Sequence, residues 1–389
     1  MEKVNRKMKV RFICDFFKHP AQFLTYQNYM ILGLNSTPDI KYQVEPFRNC
    51  LFYKLHKMKV KGIMYFWQRY NTFFAKNQYR AADRVGRYVF EFNDRKVKVV
   101  LDNWDDREIL DQNALDWSDI YFKGNKWPTV SYPAKVYPLI NANGRLNAQK
   151  IALLKNLRSK QPEFDLNYMS VIWFWPNDSR MHTLIEHHVR TFETLSRLDC
   201  KKHLLAVIPS YWPDHSEGNF SKYLRRLDRA GVPWQRGWKD ISSEKLFNSL
   251  ANSKIVFLRP GNALCISWRM HDLICMGACI VCDGHPYPNW PVPLADNINF
   301  VDCHCGIGSD YSIPPIEQYD NFSVVIEDLL SNPLRIEAIK ANNREYFDRY
   351  AAPEKIGSYI IDTVKAYALV NPSYLESDNS LFSSVNSIR

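Results

Sequence analysis

The sequence predicts an α/β protein with two domains, and three observations support this prediction. The chain has 389 residues, more than one domain of roughly 100–200 residues usually holds. Its 46% hydrophobic and 24% charged residues are ordinary for a globular protein, which excludes a disordered or collagen-like chain. Predicted strands and helices alternate between residues 170 and 282, and such alternation indicates a parallel sheet.

The N-terminal part is predicted to contain short strands and one hairpin. Residues 9–15 are rich in β-branched and aromatic side chains, which favour a first strand. Residues 88–101 alternate around Asn93-Asp94, a pattern typical of a hairpin turn. Further strands are predicted at residues 119–123 and 134–139. The hairpin leads into an acidic loop, residues 102–106, and ligands of open α/β sheets bind where strands end.

The C-terminal part alternates strands and helices more regularly. Four strands are predicted, at residues 170–175, 204–208, 255–258 and 278–282. Five helices are predicted, at residues 180–198 with Asp178 or Ser179 as cap, 221–230, 242–251, 268–276 with Gly277 as its end, and 353–369. The polar segment 141–167 is predicted as the linker. The domains are therefore expected at residues 1–160 and 161–350, followed by a helix at 351–370 and a mobile tail at 371–389.

The net charge of +10 is unevenly distributed. Residues 1–100 hold 20 Lys and Arg against 7 Asp and Glu. The lysines at 54, 57, 59 and 61 precede an aromatic segment, residues 64–74, as in a helix that rests on an anionic membrane surface. A helix packed in the core and a basic nucleic-acid-binding protein are the alternatives, but no nucleic-acid-binding motif accompanies the charge, so no nucleic acid is expected as partner.

The chain's apolar runs are short of the ~20 residues that a membrane-spanning helix needs. The charged N-terminal residues do not resemble a secretory signal, so we expect a cytoplasmic protein, peripheral on the inner face of the membrane. The nine cysteines do not indicate a disulfide framework. The cluster Cys275, Cys279 and Cys282 lies in an apolar stretch, where cysteine behaves as a small hydrophobe, and no metal site is predicted there or at Cys303-His304-Cys305.

The segment from residue 253 to 283 carries the main functional signal. A buried strand ends in Arg259-Pro-Gly261, and the next helix begins near Ser267 with Arg269 in its first turn. Free N–H groups at a helix start and an arginine fork both suit a phosphate. Asp272 lies one turn later, on the same face, where a carboxylate suits a ribose diol. Phosphate and ribose together indicate a nucleotide.

This segment resembles the nucleotide-sugar motif of GT-B glycosyltransferases, especially exostosin-like and bacterial surface-polysaccharide (lipopolysaccharide or capsule) enzymes. The matching residues are Arg259-Pro-Gly261, with Arg and Pro swapped, Arg269-Met-His-Asp272, with Asp in place of Glu, and Ile274-Cys-Met-Gly277. The resemblance covers most of residues 90–370. It implies two Rossmann-like domains facing a cleft, with a C-terminal helix that crosses back to the first domain.

The resemblance also implies an activity, namely sugar transfer from a nucleotide-sugar donor to a glycan or lipid-linked glycan, without metal or cofactor. A catalytically silent GT-B-like binding protein is the alternative. For an inverting reaction, the candidate bases are Asp102 and Asp105 in the acceptor domain. The candidate donor-binding residues are Arg259, Asn262, Ser267, Arg269, Asp272, Arg236 near the base and Arg180 near the phosphates.

Overall fold

The computed structural model describes most of the chain. These are residues 8–14, 20–37, 40–46, 85–92, 95–142, 146–173, 178, 180–209, 221–237 and 241–370.

The N-terminal unit is a six-stranded mixed sheet with few helices. Its elements are β1 (Met8–Cys14), α1 (Pro20–Asn35), β2 (Ile40–Pro46), β3 (Val85–Phe92), β4 (Arg95–Asp102), α2 (Gln112–Trp117), β5 (Ile120–Lys123), β6 (Val136–Pro138) and α3 (Ala148–Asn156). The strand order is β2-β1-β3-β4-β5-β6. Strand β3 runs antiparallel to both β1 and β4, and the other pairs are parallel.

The C-terminal unit is a six-stranded sheet in which every pair is parallel. Its elements are β7 (Phe164–Val171), α4 (Met181–Ser196), β8 (Lys202–Ile208), α5 (Ser221–Arg229), β9 (Trp234–Arg236), α6 (Ser243–Ala251), β10 (Ser253–Leu258), α7 (Trp268–Met276), β11 (Cys279–Cys282), β12 (Val301–Asp302), α8 (Asn321–Ser331), α9 (Pro333–Tyr346) and α10 (Pro353–Val370). The order β12-β11-β10-β7-β8-β9 is that of a dinucleotide-binding Rossmann sheet, with its switch point between β7 and β10.

Local sequence signals fix the helix ends around β10. The Ser242 hydroxyl accepts a hydrogen bond from the Lys245 amide at the start of α6, and Ser267 does the same for Arg269 at the start of α7. Gly277 ends α7 with a φ of 65°, a left-handed conformation that glycine adopts without a steric penalty. Strand β11 is buried along its whole length, as expected for a central parallel strand.

The C-terminal helix α10 packs on the N-terminal unit. Gly33 of α1 and Gly357 of α10 lie at the crossing, where a Cβ on Gly357 would come within 2.4 Å of the Gly33 carbonyl oxygen. At the start of α10, the carbonyl oxygen of Ala351 accepts the Tyr29 hydroxyl at 2.8 Å and lies 3.2 Å from His271 Nε2 of α7. One carbonyl group therefore joins α1, α7 and the junction before α10.

The structure confirms the predicted α/β class, the two units and the helix that crosses back. The hairpin is β3–β4, and α7 and its glycine end match the prediction. The N-terminal sheet differs from a Rossmann sheet because β3 is antiparallel to its neighbours. The predicted domain boundary near residue 160 falls in the connection between β6 and β7 and stays a prediction.

Two predictions in the C-terminal part were wrong. The strand predicted at residues 170–175 is β7, which ends at Val171. Trp173, beyond its end, is 39% exposed, and residues 174 and 175 lie outside the described residues. Helix α4 has Arg180 as its N-cap without a side-chain cap bond. Asp178 instead accepts the Arg180 amide at 3.0 Å. The lysines at 54–61, the aromatic segment 64–74, Ser179 and the tail 371–389 lie outside the described residues.

Candidate functional site

The candidate site lies at the carboxyl ends of the C-terminal strands. In a sheet of this order, the loops beside the switch point diverge and leave a crevice between them. The loop after β10 occupies one side of that crevice and leads into α7. The predicted donor residues Arg259, Asn262, Ser267, Arg269 and Asp272 all lie in this loop or in α7.

The loop after β10 folds back on itself before α7 begins. The Gly261 amide donates to the Cys265 carbonyl at 2.9 Å, and the Leu264 amide donates to the Gly261 carbonyl at 2.8 Å. A Cβ on Gly261 would lie 2.3 Å from the Cys265 sulfur, so a larger residue there would displace that side chain. The turn leaves Asn262 half-buried and sets the start of α7 at the carboxyl edge of the sheet.

Arg269 lies in the first turn of α7 and is half-buried. Its Nη1 atom is shielded from solvent and has no hydrogen-bond partner among the described residues. Burial lowers the pKa of this guanidinium, and the nearby carboxylate of Asp272 partly opposes that effect. Asp272 itself is buried. A desolvated cation with an unused donor beside a helix N-terminus is suited to bind an anion.

Arg259, the other predicted phosphate ligand, points into the protein. Its Nε donates to Oδ2 of Asp283 at 3.0 Å, and the two side chains are 2% and 0% exposed. His187 Nε2 lies 3.0 Å from the same oxygen. Burial, with the Arg259 charge, lowers the pKa of His187 to about 4. Because a carboxylate only accepts, the neutral imidazole of His187 donates to Asp283 through Nε2. These contacts favour a structural role for Arg259, although its Nη1 has no partner among the described residues.

A pocket of about 400 Å³ lies next to this buried network, between the two units. The C-terminal unit contributes residues that follow β10, β11 and β12, and the N-terminal unit contributes the Pro128-Thr129 segment. Gly284 and Gly306 approach so closely that a Cβ on Gly284 would lie 2.6 Å from the Gly306 Cα. The lining residues are Pro128, Thr129, Pro260, Asp283, Gly284, His285, Pro286, Tyr287, Asn289, Asp302, His304, Gly306 and Ile307.

A histidine–aspartate pair lines this pocket at the end of β12. Asp302 Oδ1 accepts the His304 amide at 2.7 Å, and Asp302 Oδ2 lies 3.2 Å from His304 Nδ1. The backbone φ of His304 is 52°, a left-handed conformation that costs a non-glycine residue about 1–3 kcal/mol and is most frequent at functional sites. Burial raises the pKa of Asp302, and His304 opposes that effect.

The predicted base Asp102 is enclosed in the N-terminal unit. Its Oδ1 accepts the Trp104 amide at 2.7 Å, and its Oδ2 accepts the Tyr121 hydroxyl at 2.7 Å. Lys123 Nζ lies 3.2 Å from Oδ2, and both members of this ion pair are buried. With both oxygens engaged inside the unit, Asp102 does not present its carboxylate to a substrate, which argues against its predicted role as the base.

The rest of the acidic loop reaches the C-terminal unit. Asp105 is half-buried, and its carbonyl oxygen accepts the side-chain amide of Asn125. Burial raises the pKa of Asp106, and the charge of Arg180 opposes the rise. Arg107 reaches the Ser309 carbonyl at 3.4 Å. The loop thus meets the segment before α4 and the loop after β12.

Two further predicted donor residues lie apart from the start of α7. Arg180 donates to Asp178 through Nε and Nη2, at 2.8 and 2.7 Å, and to the Tyr311 hydroxyl through Nη1, at 2.9 Å. Its guanidinium is therefore engaged by protein groups rather than presented to a phosphate. Arg236 is half-buried at the end of β9, which β7 and β8 separate from β10 on the other side of the switch point.

The buried cysteines behave as apolar side chains. Burial raises the pKa of Cys275, Cys279 and Cys305 to about 12. It also raises the pKa of Cys282 and Cys303 well above the ordinary value of a thiol, so these thiols stay protonated at neutral pH. Within the described ranges, no group of three His, Cys, Asp or Glu side chains is arranged to hold a metal ion. Among those same residues, no helix has both the length and the apolar character to cross a membrane.

Comparison with known proteins gives structural similarities only. No protein-family model matches the chain, and no curated protein matches it. Anabaena Alr3699/HepE in complex with UDP-glucose aligns with a TM-score of 0.44 at 10% identity, over 92% of this chain and 100% of that one. The same protein with UDP and glucose aligns with a TM-score of 0.41 at 10% identity, over 65% of each chain.

Sucrose-phosphate synthase from Thermosynechococcus elongatus aligns with a TM-score of 0.41 at 11% identity, over 67% of this chain and 61% of that one. In the first three alignments the match spans 65%, 66% and 57% of the solved chains, less than two thirds of their length. At these scores and identities the alignments carry no argument about this chain.

Proposed function

We propose that the chain is a glycosyltransferase that moves a sugar from a nucleotide-sugar donor to a glycan or lipid-linked glycan acceptor. The donor binds at the carboxyl edge of the C-terminal sheet, and the acceptor enters from the N-terminal unit. The motif resemblance supports the reaction class. The strand order β12-β11-β10-β7-β8-β9 supports a nucleotide ligand, because sheets of this order bind dinucleotides at their switch point.

The single observation that carries the proposal is the state of Arg269. An arginine whose Nη1 is buried without a hydrogen-bond partner among the described residues is costly to the folded protein. That cost is offset when an anion binds. The start of α7, capped by Ser267, directs backbone N–H groups and the positive end of the helix dipole to the same place. A donor diphosphate matches both features.

The same groups supply the chemistry that sugar transfer requires. When the bond between the sugar and the diphosphate breaks, negative charge accumulates on the leaving phosphate. Arg269 and the first amides of α7 stabilise that charge as it develops. Asp272, one turn further along α7, is proposed to accept from the ribose hydroxyls. We further propose that no metal ion takes part, so EDTA should leave the rate unchanged.

Arg269→Ala tests the proposal directly. A thermal-shift screen of the wild type across UDP-, GDP-, ADP-, dTDP- and CMP-linked sugars first identifies the donor. Loss of one charge-assisted hydrogen bond costs roughly 1.5–3 kcal/mol, so calorimetry of Arg269→Ala should give a donor affinity about 10- to 150-fold weaker. Arg349→Ala is the matched control, because Arg349 is 61% exposed and pairs with Glu345.

Two results would contradict the proposal. If none of these donors raises the melting temperature of the wild type, the proposed donor site is contradicted. If Arg269→Ala and the wild type bind the donor with equal affinity, Arg269 is not part of the donor site. The silent GT-B alternative makes a different prediction, namely donor binding without release of the sugar. Slow hydrolysis of the bound donor in the absence of acceptor would identify an enzyme.

A further inference from the structure

We propose that His304 is the catalytic base of the transfer reaction, with Asp302 holding its imidazole in place. The inference rests on the proposed function, because it assigns a role within that reaction. It places the base in the C-terminal unit, at the end of β12, rather than in the acidic loop of the N-terminal unit.

The geometry of the pair is that of an oriented imidazole. Asp302 is 5% exposed in its side chain, while His304 is 74% exposed. The contact of 3.2 Å joins His304 Nδ1 to Asp302 Oδ2, and the carboxylate can only accept. Nδ1 therefore carries the proton, and Nε2 keeps a lone pair that is available to a substrate. The backbone amide of His304 donates to Asp302 Oδ1, and this bond in turn fixes the orientation of the carboxylate.

The position of the pair suits an acceptor hydroxyl. His304 and Asp302 line the pocket of about 400 Å³ together with Pro260, which belongs to the turn that leads into α7. A sugar whose diphosphate sits at the start of α7 would thus lie beside this pocket. Pro128 and Thr129 of the N-terminal unit line its opposite side, and the Asn289 amide donates to the Lys126 carbonyl at 3.0 Å. Both units therefore border the space that the acceptor would fill.

The proposed step balances as a single displacement. The acceptor hydroxyl oxygen forms a bond to the anomeric carbon of the donor sugar, and the bond from that carbon to the phosphate oxygen breaks. The electron pair of the broken bond leaves on the nucleoside diphosphate. The hydroxyl proton moves to His304 Nε2, and the resulting imidazolium is stabilised by the Asp302 carboxylate. The configuration at the anomeric carbon inverts.

Two other carboxylates, Asp102 of the acidic loop and Asp283 of the pocket, are less suited to this role. Asp102 is buried with both oxygens engaged. Asp283 lines the pocket, but its Oδ2 accepts from Arg259 and its Oδ1 accepts the Gly284 amide at 2.9 Å. His285 Nδ1 lies 3.9 Å from Asp302 Oδ2, beyond hydrogen-bond distance. His304 is the imidazole that a carboxylate orients within the described part of this pocket.

The test compares His304→Ala with His285→Ala, because both remove an exposed imidazole from the same pocket. With the donor identified in the thermal-shift screen, calorimetry should give wild-type donor affinity for His304→Ala, while kcat should fall by about 10²–10⁴-fold. His285→Ala should lose less than tenfold. Both side chains are largely exposed, and thermal unfolding of each variant checks that its fold is intact.

The pH profile distinguishes a base from a residue that merely shapes the pocket. The groups that face His304 are Asp302 and, around that carboxylate, His285 and Asp296; Asp283 lines the same pocket. In the wild type, kcat/KM should fall at low pH as the imidazole takes up a proton, and this limb should vanish in His304→Ala. In Asp302→Asn, kcat should fall while the donor affinity stays at the wild-type value, because the imidazole is no longer held in place.

The outcomes separate this inference from the function on which it rests. If the wild type binds donor and transfers sugar, but His304→Ala keeps its kcat and its acid limb, the base assignment is overturned and the glycosyltransferase stands. Equal losses in His304→Ala and His285→Ala would also overturn it, in favour of a shared effect of pocket charge. If the wild type binds no nucleotide sugar, both proposals fall together.

Discussion

The buried ion pair between Arg259 and Asp283 offers the sharpest test of how the C-terminal unit is stabilised. Asp283→Asn keeps the shape of the side chain but removes the charge that Arg259 Nε contacts at 3.0 Å. It also disturbs the bond from His187 Nε2. The variant leaves a guanidinium 2% exposed and without a counter-charge. Removal of one partner of a buried pair costs about 3–5 kcal/mol.

Urea unfolding followed by tryptophan fluorescence measures this cost as a change in the free energy of unfolding. At about 2 °C of Tm per kcal/mol for a large domain, the variant should melt roughly 6–10 °C below the wild type. Glu345→Gln is the matched control, because it breaks the Arg349–Glu345 pair, whose members are 61% and 60% exposed. An exposed pair of this kind contributes at most about 1 kcal/mol.

A double variant tests whether the loss of stability comes from the unpaired buried charge. Arg259→Met with Asp283→Leu replaces both charges by apolar side chains, and such replacements of buried pairs are often neutral or stabilising. The double variant should therefore recover most of the stability that Asp283→Asn loses. An Asp283→Asn variant no less stable than Glu345→Gln would refute the reasoning, since the pair would then behave as a surface contact.

Two further predictions concern pH and membrane binding. Burial lowers the pKa of His187 and of His271 to about 4, while in the unfolded chain the same imidazoles take up a proton near pH 6.5. The free energy of unfolding should therefore fall as the pH drops from about 6.5 to 4. The expected slope is up to about 1.4 kcal/mol per pH unit for each imidazole. His271→Gln removes one of the two imidazoles, so its free energy of unfolding should depend less steeply on pH. Equal slopes in the variant and the wild type would contradict this prediction. The lysines at 54, 57, 59 and 61 should bind liposomes more strongly as anionic lipid increases and less strongly as salt increases, at about 1 kcal/mol per lysine near the surface. Their replacement by Glu should abolish this co-sedimentation, and equal binding to neutral and anionic vesicles would exclude the electrostatic contribution.

The fold of the C-terminal unit was predictable because its signals are local. The Ser267 cap and the Gly277 end lie at the two ends of α7, and both follow from the preferences of single residues. Strand β7 was placed too late because residues 171–175 are more apolar than its first half. That first half, beginning at Phe164, is held by pairing with β8 and β10. Such pairing depends on residues distant in sequence, which a single stretch does not reveal.

The site was predicted in part. The start of α7 was predicted from its motif. Asp102, however, pairs with Lys123, and Arg259 pairs with Asp283. The sequence does not identify these partners, so it does not predict the roles of Asp102 and Arg259. The histidine–aspartate pair was not predicted, because the sequence of Cys303-His304-Cys305 does not show that His304 turns back to the buried carboxylate of Asp302. One sequence signal does point to His304: it follows β12 directly and therefore lies at the carboxyl edge of the sheet, as Arg259 does after β10.

The carbonyl group of Ala351 has a mechanical consequence. It accepts Tyr29 from α1 and lies within reach of His271 from α7, and just beyond it α10 leaves for the N-terminal unit. Because one oxygen serves both contacts, a displacement of the chain at Ala351 disturbs α1 and α7 together. The packing of the two units at the start of α10 is therefore coupled through a single backbone atom.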